Sequence, residues 1–169
     1  MGRVTAKRVD GGRKSDRTDS GTIALLFDLA IAAESEAREF YLGLAQKFSH
    51  LPKISAFWTE MADDEKSHAR QLGRMKDSLV PRRLSAPADV SVFRKAEGLR
   101  KFSVGEMLDA VRNLDDACEL ANRLENSEVN SIYEFLSSEY RSAERREIIR
   151  TQVKGHLIKL IRFAQSFGP

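Results

Sequence analysis

Among 169 residues there is a single cysteine, Cys118. No disulfide can close within the sequence, and no Cys-x-x-Cys pair is present to hold zinc or iron. Proline is scarce, with four residues, so few points force a helix to stop. No apolar run approaches the ~20 residues that a membrane-spanning helix needs. The first residues are polar and basic, without an apolar signal segment. A cytoplasmic protein is expected. No glycine-rich or aromatic pattern accompanies the basic residues, so a nucleic acid is not an expected partner.

What is present is ordinary for a globular helical chain: 41% hydrophobic and 31% charged residues, in a length that suits one domain with a core. The net charge of +3 is uneven. Residues 1–20 carry +3, residues 21–140 carry −5 and residues 141–169 carry +5. Residues 1–20 have almost no apolar content and cannot offset the entropy of ordering, so they read as a flexible basic tail.

From Thr22 to Phe48 the apolar residues Ile23, Leu26, Ala30, Ala33, Ala37, Tyr41 and Leu44 recur every three or four positions, which predicts one helix. Pro52 suits the first turn of a second helix running to Ser78. Phe57, Trp58, Met61, Glu65, His68, Ala69 and Leu72 share its inward face. Residues 79–102 lose the period and form a connection of 24 residues, with a short helix around Phe93 to Leu99. Ser103-Val-Gly-Glu106 reads as a capping box, opening a third helix expected to run unbroken to Glu125. A tight turn at Asn126 to Glu128 and a fourth helix from Val129, carrying Ile132, Phe135 and Leu136, complete residues 21–144. Residues 145–169 form a basic amphipathic helix, either extending the fourth or, with a break near Gly155, standing as a fifth.

Two tight hairpins joined by one long crossover describe an all-α, ferritin-like four-helix bundle with an extra amphipathic C-terminal segment. At ~3.3 Å per extended residue the crossover can travel the length of a bundle.

Glu65-Lys-Ser-His68 places a carboxylate and an imidazole on one helix face. That face is apolar, and a buried carboxylate is costly unless paired or metal-bound. Glu34 lies on the apolar stripe of the first helix. It stands about fifteen residues before the first turn and Glu65 about fifteen after, so both sit at one height. Tyr41 and Trp58 read as core residues, Cys118 as a small buried hydrophobe and His50 as a solvated turn residue.

The stretch Ala33-Glu34-Ser-Glu-Ala37-Arg-Glu-Phe-Tyr41, with Phe57-Trp-Thr-Glu-Met61-Ala-Asp-Asp-Glu65-Lys-Ser-His68, resembles the rubrerythrin and ferritin-like family. The resemblance covers the first hairpin. It implies Glu34 as a terminal ligand, Glu65 as a bridging ligand and His68 as the imidazole ligand of an iron or manganese centre. Relatives of this kind bind two irons and react with oxygen or peroxide, or oxidise and store iron. A rubredoxin-type centre is excluded by the single cysteine.

The second hairpin repeats the first in part. One register puts Leu114 at the position of Glu34, Glu139 at that of Glu65 and Ser142 at that of His68. Another puts Val153-x-x-His156 in the motif position, keeping a histidine and losing the glutamate. The first is preferred, because His156 would lie far from the height of Leu114. It yields one ion per chain, held by Glu34, Glu65, His68 and Glu139, with iron expected and manganese or zinc as alternatives. Two-metal redox chemistry would be weakened to a residual oxidase or peroxidase activity. The competing expectation is a metal-free helical scaffold that docks partners through its basic C-terminal helix. A homodimer is expected in either case.

Overall fold

The computed structural model describes residues 21–99, 103–126, 132, 135, 136 and 143–167, with backbone alone for Leu99 and for 143–154. The expected tail, 1–20, lies outside them. The helices are α1 (Ile23–Lys47), α2 (Pro52–Asp77), α3 (Pro81–Leu84), α4 (Val90–Leu99), α5 (Val104–Ala110), α6 (Leu114–Glu125) and α7 (Ala143–Phe167). The fold is all-α and ferritin-like, and among the described residues no helix is long and apolar enough to cross a membrane.

α1 begins where Thr22 Oγ1 accepts a hydrogen bond from the Leu25 amide, satisfying one of the free donors of the first turn. The predicted stripe is buried at Ile23, Leu26, Ala30, Ala37, Tyr41 and Leu44, joined by Phe27 and Phe40. After a turn over 48–51, Pro52 opens α2, which packs against α1 along its length. The crossover is pinned to the start of α1 by hydrogen bonds from the Ile23 amide to the Ala86 carbonyl and from the Ala88 amide to the Gly21 carbonyl.

The third helix is not continuous. It breaks at Val111 to Asn113, where Val111 turns to ψ 111° and Asn113 is fully extended. The Asn113 side chain accepts from the Asp116 amide and starts α6 anew, a short polar side chain competing with the helix for a backbone donor. α5 lies on α1 through Leu108, which covers Gly43, while Lys47 Nζ donates to the Leu108 carbonyl. A Cβ at Gly43 would overlap the Leu108 side chain. Gly43→Ala should therefore lower stability by roughly 1–2 kcal/mol through overpacking, measured by urea denaturation, although alanine is the better helix former.

The buried apolar side chains fall into two clusters. One holds Ile23, Leu26, Phe27, Leu72, Met75, Phe93, Ile132 and Leu136. The other holds Phe40, Tyr41, Leu44, Trp58, Met61, Val111, Ala117, Ala121, Leu160 and Phe163. Ala117 and Ala121 of α6 thus lie near one end of the bundle, and the helical residues Ile132 and Leu136 near the other. α6 ends at Glu125 with Asn126 as its cap, and the rest of the turn expected at 126–128 lies outside the described residues. α7 then runs unbroken through Gly155 and antiparallel to α2: His156 faces Glu65, Lys159 faces Glu60 and Asp64, and Phe163 stacks on Phe57 at 3.8 Å between ring centroids. The segment expected as an extension or fifth helix is the bundle neighbour of α2.

Candidate metal centre

Between the two apolar clusters lies a layer of polar side chains, four of them buried and Glu125 half-buried. Glu34 comes from α1, Glu65 and His68 from α2, Glu125 from the last position of α6 and His156 from α7. Glu34, Glu65, His68 and His156 are each at most 9% exposed. His68 Nδ1 is 3.1 Å from Glu65 Oε2 and 3.6 Å from Glu34 Oε2. His156 Nδ1 is 3.2 Å from Glu65 Oε1 and 3.3 Å from Glu125 Oε2. The two oxygens of Glu65 therefore face two different imidazoles, whose ring centroids are 4.8 Å apart.

Outer contacts hold this layer. Tyr41 OH donates to Glu125 Oε1 at 2.6 Å, and the Tyr41 ring stacks nearly parallel on Trp58. On the far side of His156, Nε2 is buried and makes no hydrogen bond of good geometry. It lies 3.3 Å from Asp64 Oδ2.

The layer stays buried by sharing protons. Burial pushes the Glu34 carboxyl up to about 8, with Glu65 adding to the effect and His68 opposing it. Burial alone would raise Glu65 as well, but hydrogen bonds from His156, His68 and Glu34 hold it well below the usual carboxylate range. Burial disfavours charge on both imidazoles. Glu34 and Glu65 nevertheless raise His68 to about 9, and Glu125 and Glu65 raise His156 to about 11. Burial and Glu125 move the Tyr41 phenol well above its ordinary value.

Three of the expected ligands, Glu34, Glu65 and His68, are brought together. The fourth, Glu139, lies outside the described residues, as does Ser142. Leu114 packs beside the apolar cluster around Trp58. His156, which the sequence reading set aside as too distant, is in contact with Glu65. Glu125 was missed. His156 follows His68 by 88 positions, and the same offset sets Asn122 against Glu34, Glu125 against Ala37 and Val153 against Glu65. This longer offset was the available signal. It is obscured because neither acidic position of the first hairpin's pattern, Glu34 or Glu65, is acidic in the second.

The donor set fits a metal. Three carboxylates and two imidazoles converge, and a divalent cation could replace the protons that Glu34, His68 and His156 hold. Glu65, His68 and His156 each offer an atom within 4.8 Å of the others. A model of the rubrerythrin family matches residues 26–152, ending just before His156. No curated protein and no solved structure matches the chain.

Proposed function

The chain belongs to the rubrerythrin family, and from that premise we propose that its buried layer is a two-ion centre for iron or manganese. Glu34, His68 and Glu65 would hold one ion, and Glu125, His156 and Glu65 the other. The observation that carries this reading is the division of the Glu65 oxygens between His68 and His156. The expectation of one ion came from a second hairpin represented by Leu114, Glu139 and Ser142. Glu125 and His156 add the donors which that count lacked.

Carboxylate oxygen and imidazole nitrogen suit iron(II) and manganese(II). Such a pair, when bound, supplies electrons for the reduction of oxygen or peroxide. The side chains of this chain do the rest. Asp64 faces His156 Nε2, which favours the tautomer that leaves Nδ1 free to coordinate. Tyr41 fixes Glu125 through its hydroxyl. The apolar clusters on either side keep bulk water away from the layer. The same proposal includes a homodimer in the cytoplasm. In crystals soaked with manganese(II), anomalous scattering should give two peaks flanking Glu65. One peak, or none beside Glu65, would defeat the two-ion reading.

Protons and metal compete for the same atoms, which sets the pH dependence. His68 is raised from 6.5 to about 9, His156 from 6.5 to about 11 and Glu34 from 4.5 to about 8. Each raised group stabilises the metal-free fold fully below its unfolded value and loses that contribution as pH rises through its folded value. Glu65 is depressed and acts oppositely, losing its contribution as pH falls below about 4.5. The melting temperature of metal-free protein should therefore fall between pH 6 and pH 9, roughly. Metal affinity should rise over the same interval as ligand protons are released. Melting curves with and without manganese(II) measure both, and a metal-free melting temperature that rises with pH would contradict this proton sharing.

A further inference from the structure

An ion bound in this layer must reach it from solvent. The apolar clusters above and below make passage along the bundle axis costly for a cation. At the contact of α2 with α7 the chemistry differs. Glu60, Asp64 and Glu65 follow one another inward on α2, with side chains 61%, 33% and 4% exposed. The ammonium of Lys159, on α7, sits between the first two, 2.6 Å from Glu60 Oε1 and 2.5 Å from Asp64 Oδ2. The inner end of the path is His156 Nε2, buried, without a hydrogen bond of its own and 3.3 Å from the same Asp64 oxygen.

We propose that divalent cations enter the buried layer between α2 and α7 by way of Glu60 and Asp64, and that the Lys159 ammonium occupies this entry in the metal-free protein. The inference rests on the metal-centre reading. It adds a route and a residue that controls it.

The seated ammonium shows that the position accepts a cation. Burial works against its charge, but hydrogen bonds to Asp64 and Glu60 raise its proton affinity above that of an ordinary lysine, so it stays charged. An arriving ion must displace it, after which the stem can swing outward, since the side chain is 36% exposed. Asp64 then passes the ion from the surface to the buried oxygens of Glu65. Two positive charges cannot share the two carboxylates without strong repulsion, so the lysine slows uptake without altering the final occupancy.

The test is stopped-flow mixing of metal-free protein with cobalt(II), read by the visible absorption of the bound ion. Lys159→Met keeps the apolar stem and removes the charge. It should bind cobalt roughly three- to tenfold faster at low ionic strength, with the gain shrinking in high salt. Lys159→Arg should restore the slow rate. Glu60→Gln should bind about twofold slower or more, having lost the outermost attraction. The cobalt bound at saturation should be the same in all three variants. If Lys159→Met fills to the wild-type level but no faster, the entry route is overturned and the metal centre stands. If wild-type protein binds no cobalt, the metal-centre reading falls and the route with it.

Discussion

Glu65→Ala should yield a protein that holds no metal after anaerobic loading with iron(II), whereas wild-type protein loaded in the same way retains it. Glu65 offers one oxygen toward each imidazole, so its removal strips both halves of the centre at once. Loss of a ligand from only one half would leave the other intact. The substitution also acts on the metal-free fold. It leaves His68 and His156, both with raised proton affinity and 4.8 Å apart, without the carboxylate they share. Breaking a buried charge pair from one side costs about 3–5 kcal/mol. Elemental analysis and urea denaturation measure the two effects separately. A Glu65→Ala protein that keeps its iron would show that the centre is elsewhere.

Trp58→Ala should cost about 3–5 kcal/mol of stability, as large-to-small changes of buried aromatics do. Trp58 is fully buried. It stacks on Tyr41 and meets Phe57 and Phe163 edge-on, so it ties α1, α2 and α7 together below the polar layer. Its loss also frees the ring of Tyr41, whose hydroxyl holds Glu125. Metal affinity should weaken in the half of the centre that contains Glu125 and His156 more than in the half that contains Glu34 and His68. Urea denaturation measures the first effect and metal titration the second. A stability loss below about 1 kcal/mol would mean that the aromatic cluster is not the keystone of that end.

The first hairpin was readable in the sequence because every signal in it agrees. Thr22 caps the first helix and Pro52 opens the second. The stripe from Ile23 to Leu44 keeps one period, and Glu34, Glu65 and His68 break the apolar pattern at one height. The second hairpin was not readable in the same way. Asn113 interrupts its first helix, its side chain accepting from the Asp116 amide. Asn126 caps the end of α6, its side-chain amide donating to Asn122, and Ile132 and Leu136 lie in the apolar cluster on the other side of the polar layer. With Leu114 taken as the counterpart of Glu34, Glu125 was passed over and His156 was put out of reach. Glu125 carried a further disguise, standing one helical turn beyond the position that Glu34 predicts. Periodicity fixes which face a residue is on. It does not fix the height at which two helices meet, which depends on the turn.

The most direct test of the shared Glu65 is the number of ions per chain. Wild-type protein and His156→Ala, each purified without chelator, loaded anaerobically with iron(II) and desalted, are analysed for iron against protein concentration. Two irons per wild-type chain, falling to one in His156→Ala, is the result expected when Glu65 joins two half-sites. One iron per chain, unchanged by His156→Ala, would return the centre to the single position of Glu34, Glu65 and His68 and contradict the bridging role.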